Sequence, residues 1–197
     1  MRRLVVILAI AVIAIAGVWS FNQAIEEARQ KARERSGLGT GGRPENVEAI
    51  FGGADALKIV TGPERVIAER IAPPESEKPG ERKLADYRAT SKPITVPNDM
   101  SQQLGAALAS PDSYRWKTTK GCIPRYGVRL SFSKGADRID VYICFSCNIL
   151  LVAQNGVTKG GEDFDDARPV FVRAAKKLFP DDMVIQQLPE QGCTGDD

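Results

Sequence analysis

The sequence contains no histidine, and this absence limits the chemistry that the protein can perform. Imidazole titrates near neutral pH and is the usual base that activates a serine or cysteine nucleophile. Ser-His-Asp triads, Cys-His nucleophile pairs and Cys/His zinc fingers are therefore excluded. Glycine-rich phosphate loops are missing too, so nothing supports nucleotide binding. No nucleophile has an identifiable activating base, so the sequence predicts no catalytic residue and no cofactor. It favours a protein that is not an enzyme.

An excess of charge of either sign is also missing from most of the chain. The sequence has 27 basic and 25 acidic residues, and two of the basic ones, Arg2 and Arg3, lie at its start. The remainder carries 25 residues of each sign and is formally neutral. A neutral domain has no electrostatic means of following a phosphate backbone, so we expect no nucleic-acid partner. The hydrophobic content of 43% is sufficient for a packed core.

The apolar run from Leu4 to Phe21 predicts a membrane-associated helix. It holds 18 residues without a charge, and a helix of that length spans roughly 27 Å, close to the hydrocarbon thickness of a bilayer. Signal peptides have shorter apolar runs, so we expect this segment to stay attached and to contact the lipid bilayer. A cleaved signal peptide, with a secreted or periplasmic product, is the alternative. Arg2 and Arg3 favour a cytoplasmic N-terminus with the main domain outside the cytoplasm.

Composition divides the rest of the chain into a stalk, a folded domain and a tail. Beyond the anchor at residues 1–21, residues 22–43 are polar and then rich in glycine, which predicts a solvated stalk and a flexible linker. Hydrophobic periodicity begins near Pro44, so we place one domain at residues 44–188. Residues 189–197 lack this periodicity, and we expect a loose tail.

Residues 128–145 give the clearest structural prediction. Apolar residues alternate with polar ones on both sides of Gly135-Ala136, which predicts two strands joined by a two-residue type II′ turn. That turn places Phe132 opposite Ile139 and leaves every apolar pair on one face.

Further elements follow on either side of this hairpin. A strand at Ile149–Ala153 precedes an Asn-Gly turn, and helices are expected after Asp99 and from Asp165 to Leu178. The segment Leu57–Ile71 fits either a hairpin around its Gly-Pro pair or a helix that starts at Pro63. Strands in runs, interrupted and followed by helices, predict an α+β domain. We expect an antiparallel sheet of five to six strands with two or three helices on one face.

Weaker patterns complete the domain. Pro44–Phe51 suits a short helix that ends at a glycine pair. Tyr87–Val96 suits a strand that Pro93 confines to an edge or a bulge. Gly160-Gly161 predicts a loop before the last helix.

Four cysteines are the candidates for chemistry. Cys144 and Cys147 form a CxxC pair, with Cys122 upstream and Cys193 in the tail. The hairpin register brings Cys122 near residues 147–149 and gives it the apolar-face parity of Cys147, whereas Cys144 points the other way unless a bulge intervenes. An exported domain with an even number of cysteines favours disulfides. We therefore expect Cys122 to bond Cys147, with Cys144 free or paired with Cys193.

Two other uses of these cysteines stay open. Thioredoxin-like exchange needs its first cysteine at the N-terminus of a helix, and Cys144 lies inside a predicted strand. An all-cysteine metal site would use Cys122, Cys144, Cys147 and Cys193, but only one pair has zinc-knuckle spacing. A thiol redox or metal-handling protein is therefore the alternative function.

Two further clusters have a structural explanation that we prefer to a functional one. The four acids between Glu162 and Asp166 match no calcium loop, and acids are common at the start of a helix. Tyr114 and Trp116 could form a platform for a sugar or a peptide, but such aromatic residues more often pack in a core or at its rim.

The stretch from Lys120 to Val152, with KGCIPRYGVRLSF followed by VYICFSCNILLV, resembles small membrane-anchored or exported bacterial proteins of uncharacterised function. The resemblance covers about a sixth of the chain, and it implies an exported bacterial domain without implying an activity. With the anchor and the cysteines, it predicts a membrane-anchored extracytoplasmic α+β domain with a binding or structural role. The sequence does not identify a protein or ligand partner.

Overall fold

A seven-stranded antiparallel sheet is the centre of the fold. The computed structural model describes residues 46–74, 83–116 and 120–191. The strands are β1 (Arg65–Ala72), β2 (Arg88–Ala89), β3 (Ile94–Thr95), β4 (Val128–Lys134), β5 (Asp137–Cys144), β6 (Ile149–Gln154) and β7 (Val157–Asp163). The α-helices are α1 (Val47–Phe51), α2 (Ala54–Thr61), α3 (Asn98–Ala109), α4 (Arg168–Leu178) and α5 (Met183–Gln186).

The predicted anchor, stalk and linker and most of the predicted tail lie outside the described residues. Among the described residues, no helix is both long enough and apolar enough to cross a bilayer.

The strands follow the spatial order β2-β1-β4-β5-β6-β7, and β3 also pairs with β1. Every neighbouring pair is antiparallel, which confirms the predicted α+β class. The described residues hold more elements than predicted, with seven strands and five α-helices. The additional elements include two strands of two residues and a helix of four, which are too short to produce a periodic sequence pattern.

The β4–β5 hairpin has the predicted register. Phe132 pairs with Ile139, and the chain reverses at Gly135, whose φ is 58°. The Asn-Gly turn after β6 is also present, because Asn155 and Gly156 have φ values of 49° and 83°, and a type I′ turn needs positive φ at both positions. Turn chemistry fixes these registers locally, and a slip by one residue would turn every apolar side chain away from the core.

Neither interpretation of Leu57–Ile71 is right as a whole, since this segment joins the end of a helix to a strand. The second strand of the predicted hairpin is present as β1, but its first strand is the end of α2. Helix α2 continues to Thr61, and the Gly62 N–H closes it by donating to the Lys58 carbonyl at 3.1 Å. Pro63 then separates α2 from β1. The main partner of β1 is β4, which lies far along the chain, so the local sequence could not reveal this pairing.

The two edge regions of the sheet differ in part from the sequence predictions. Gly160-Gly161 lies inside strand β7, where a loop was predicted. A Cβ on Gly160 would lie 2.9 Å from the Ile50 carbonyl oxygen, so the glycine lets helix α1 approach the backbone of the edge strand. At the other edge, the predicted strand at Tyr87–Val96 is split into β2 and β3, which flank Pro93. The edge position predicted from Pro93 is confirmed.

The predicted helices are present as α1, α3 and α4, and α3 packs closely against α2. Gly105 lies inside α3 and is buried. A Cβ at Gly105 would lie 2.6 Å from the Val60 carbonyl oxygen near the end of α2. Glycine is unfavourable inside a helix, but here it allows two helix backbones to come together.

One side of the sheet, which we call the helix face, packs against all five helices in a single hydrophobic core. Its strand residues include Val66, Leu130, Phe132, Ile139, Val141, Leu150 and Val152. The helices add Phe51, Leu104, Phe171 and Ile185, each at most 2% exposed. This is the face that the alternation in the hairpin predicts.

The other side, which we call the cysteine face, holds a second and smaller buried cluster. It consists of Ile71, Tyr87, Tyr126, Tyr142, Cys144, Cys147, Ile149, Leu151 and Ala153. Polar groups lie among these residues, since the buried Asp140 accepts a hydrogen bond from Ser131 and the Arg129 guanidinium pairs with Glu69. The cysteines therefore lie in a mixed environment and not in the main core.

Candidate functional site

The three described cysteines meet at one end of the cysteine face. Cys144 is the last residue of β5, Cys147 lies in the turn between β5 and β6, and Cys122 lies in the segment that leads into β4. The Gly127 N–H donates to the Ile143 carbonyl at 2.9 Å, which extends the β4–β5 ladder. The segment before β4 therefore runs alongside the turn between β5 and β6.

Cys122 and Cys147 form a disulfide, the pairing that the hairpin register predicts. Their Cα atoms are 6.2 Å apart, within the range of roughly 4.4–6.8 Å that disulfides usually span. Cys147 is buried, whereas Cys122 is an exposed residue. Cys193, which was considered as a partner of Cys144, lies outside the described residues.

Cys144 is fully buried and forms no disulfide within the described residues. Its Sγ accepts a hydrogen bond from the Arg125 backbone N–H at 3.2 Å and lies 3.2 Å from the Ser146 hydroxyl oxygen. The prediction that Cys144 and Cys147 point to opposite sides is wrong, because both belong to the cysteine face. Strand alternation stops at the turn, where Asn148 has a φ of 53°.

Three tyrosines lie in the same cluster as Cys144. The Tyr126 ring packs between Tyr87 and Tyr142, with ring centroids 5.7 and 6.0 Å away. Within the part of the chain that the structure describes, the buried Tyr126 hydroxyl makes no hydrogen bond. Burial raises the pKa of Tyr126 well above its ordinary value, and the neighbouring Cys144 and Tyr87 raise it further. The Tyr126 side chain therefore stays neutral and keeps an unused donor next to the thiol.

A charged cluster ties the disulfide to the start of α4. Lys120 Nζ lies 2.7 Å from the Asp165 carboxylate and donates to the Cys147 carbonyl at 2.8 Å, while Asn148 donates to Asp165 at 2.6 Å. Burial alone would raise the pKa of Asp165, but the bonds from Lys120 and Asn148 outweigh burial and lower that pKa below its ordinary value. These contacts support the structural explanation of the acidic cluster.

No group of three or more His, Cys, Asp or Glu side chains in the described ranges is placed to hold a metal ion. Two of the four candidate ligands, Cys122 and Cys147, are bonded to each other. A buried thiol beside a disulfide is instead an arrangement that suits thiol–disulfide exchange. This is the chemistry that the site can perform with its own residues.

A second candidate site is the groove between α3 and α4, with a volume of about 520 Å³. Its floor is largely apolar and is formed by Met100, Leu104, Ala107, Ala167, Val170 and Ala174. Charged residues of both signs, Asp99, Asp112, Arg173 and Lys177, stand at its rim. No sequence pattern indicates this groove, because its two walls come from helices that are distant in the chain.

The aromatic pair does not form a platform. Tyr114 is buried, and its hydroxyl donates to the Leu108 carbonyl at 2.6 Å. The Trp116 indole N–H donates to the Pro111 carbonyl at 3.1 Å, and the two rings pack with centroids 5.2 Å apart. The pair therefore closes the end of α3 against the core.

Comparison of the chain with known protein families, with curated proteins and with solved structures gives no match. The function must therefore follow from the residues of the cysteine site and of the α3–α4 groove.

Proposed function

We propose that the chain is a single-pass membrane protein whose α+β domain works outside the cytoplasm as a binding module. The Cys122–Cys147 disulfide carries this proposal, since disulfides persist in oxidising compartments and are rare in the cytosol. The apolar run at Leu4–Phe21 supplies the membrane segment, and the two arginines before it keep the N-terminus inside.

The α3–α4 groove favours a binding role over a purely structural one. Its volume of about 520 Å³ lies in the range of roughly 300–1,000 Å³ that is usual for ligand sites. Apolar side chains such as Met100 and Val170 remain partly exposed there, while charges of both signs surround them. The occupant that fits this surface is an apolar segment of a partner protein with charged flanking residues.

The location is tested with a tag fused after Asp197 and with protease added outside the cytoplasmic membrane. We expect the tag to be digested, and we expect Cys147 to react with a maleimide only after reduction. A chain without residues 1–21 is the matched control and should stay protected in the cytosol with its thiols reduced. A protected tag on the full chain, with both Cys122 and Cys147 reactive before reduction, would contradict the proposal.

The groove is tested in living cells by replacing the exposed Gln103 with a photocrosslinking amino acid. We expect an adduct that Val170→Lys removes, because a buried ammonium in the groove opposes an apolar ligand. Val157→Lys, at a valine that is 62% exposed on β7, should leave the adduct unchanged. An adduct that persists in Val170→Lys, with the fold intact by circular dichroism, would assign the binding to another surface.

A further inference from the structure

Cys144 and Cys147 lie close enough to compete for the same bond. The Ser146 hydroxyl oxygen is 3.2 Å from the Cys144 sulfur and 4.0 Å from the Cys147 sulfur, so both sulfurs lie near the same hydroxyl. The two cysteines are three residues apart at a chain reversal, where Cα atoms lie within about 7 Å, a separation that a disulfide can bridge. Cys147 therefore has two possible partners, Cys122 and Cys144.

We propose that Cys144 exchanges into the Cys122–Cys147 disulfide, so that the protein interconverts between this form and a Cys144–Cys147 form with a free Cys122 thiol. This activity does not depend on what the α3–α4 groove binds. It is an exchange within one chain and needs no external oxidant or reductant.

The exchange balances in atoms and electrons. The Cys144 thiol gives its proton to solvent, and the thiolate attacks Cys147 Sγ. The Cys144–Cys147 bond forms as the Cys122–Cys147 bond breaks. Cys122 leaves as a thiolate and takes up a proton, so the number of disulfides and of thiols in the chain is unchanged.

The surroundings of the site favour this step. Cys122 is exposed while Cys144 is fully buried, so the leaving sulfur moves into solvent and the attacking sulfur stays fixed by the Arg125 N–H. Lys120 holds the Cys147 carbonyl and Asp165 independently of the disulfide. The segment before β4 therefore remains attached when the Cys122 bond opens.

Tyr126 is the second observation that points to this site. Its hydroxyl is a buried donor without a partner among the described residues, and its pKa responds to Cys144. A buried hydroxyl without a hydrogen bond is costly, so its presence here needs an explanation. In the exchange it can donate to the sulfur that carries the negative charge.

Exchange would move the free thiol from a buried residue to an exposed one. In the Cys122–Cys147 form the only free thiol of the described residues is buried. In the Cys144–Cys147 form the free thiol belongs to an exposed residue, Cys122. The site then takes thiol-reactive partners, and the chemical class that it accepts is a disulfide or another sulfur electrophile.

The test labels the folded, oxidised full-length protein with N-ethylmaleimide and maps the label by peptide mass. Cys193→Ala serves as the background, so that one thiol per chain remains. We expect the label on Cys122 and the disulfide between Cys144 and Cys147. Labelling should be about tenfold or more faster at pH 8 than at pH 6, because the thiolate is the attacking species.

Two variants separate exchange from simple opening of the fold. Cys144→Ala should take up no label, since no internal thiol can displace Cys122. Cys122→Ser should form the Cys144–Cys147 disulfide under mild oxidation, with loss of two hydrogens. Label on Cys144 or no label in the parent, or two thiols that stay reduced in Cys122→Ser, would overturn the proposal.

Discussion

The two faces of the sheet are both buried but are built from different side chains. On the helix face the largest fully buried groups are aromatic and aliphatic, such as Phe132 and Leu150. On the cysteine face the buried groups include a thiol, a disulfide sulfur, tyrosine hydroxyls and the Asp140 carboxylate, which lies within hydrogen-bond distance of Ser131. The first face supplies stability, and the second keeps groups that can react or ionise.

This difference shows how the fold can carry reactive sulfur without losing its core. Burial on the helix face is non-directional and tolerates no polar atom without a partner. The cysteine face depends on directional contacts, such as the Lys120 bonds to Asp165 and to the Cys147 carbonyl. A change of disulfide partner there would leave the helix face intact.

The largest effect is expected from Phe132→Ala on the helix face. Phe132 is fully buried, so the truncation leaves a cavity and should lower the free energy of unfolding by about 3–5 kcal/mol. Urea unfolding measures the change. Val157→Ala, at a residue that is 62% exposed, is the control and should change stability by less than about 0.5 kcal/mol. A small loss for Phe132→Ala would remove the main distinction between the faces.

Gly105→Ala tests the close packing of α2 and α3 on the helix face, because propensity and packing predict stability changes of opposite sign. Helix propensity alone predicts a gain of up to about 1 kcal/mol. The structure predicts a loss of about 1–3 kcal/mol, because the new Cβ forces the backbones of α2 and α3 apart. Gly121→Ala, where a Cβ meets open space, is the control and should have little effect. Thermal unfolding measures both variants. Stabilisation by Gly105→Ala would show that the two helices do not pack at this distance.

Two tyrosine variants compare the faces directly. Tyr114→Phe on the helix face removes a hydroxyl that donates to the Leu108 carbonyl, and it should cost about 1 kcal/mol. Tyr126→Phe on the cysteine face removes a hydroxyl without a partner among the described residues, so it should be neutral or stabilising by about 1 kcal/mol. Chemical unfolding at neutral pH measures both. Equal losses would mean that the Tyr126 hydroxyl has an acceptor.

The smallest effect is expected from Asp165→Asn, and it depends on pH. The pKa of Asp165 is lowered in the folded protein, so its stabilising contribution is present above its unfolded pKa and is lost as the pH falls through the folded pKa. Asp165→Asn should therefore be less stable than the parent near neutral pH, and the two should converge at acidic pH. Urea midpoints across the acid range measure the convergence. A constant difference at every pH would place the effect of the variant in packing instead of charge.

The parts of the fold that could be predicted from sequence rest on local signals. Alternation and turn residues gave the β4–β5 register and the Asn155-Gly156 turn, because both depend on neighbours in the chain. The pairing of β1 with β4 was missed because it is long-range. In the candidate site, the Cys122–Cys147 pair followed from the register, and Cys144 lies opposite the apolar face as predicted. The side of Cys147 was predicted wrongly, because the turn interrupts alternation.

The class of the fold, the central hairpin and the exclusion of imidazole chemistry follow from the sequence, since periodicity, turn preference and composition are local properties. The packing of distant segments is what makes Gly105 and Gly160 points of backbone contact and opens a groove between α3 and α4. It also placed Cys144 beside the disulfide and left the Tyr126 hydroxyl without a partner in the described residues. These features depend on distances between segments that are remote in the chain, and no local pattern encodes such distances.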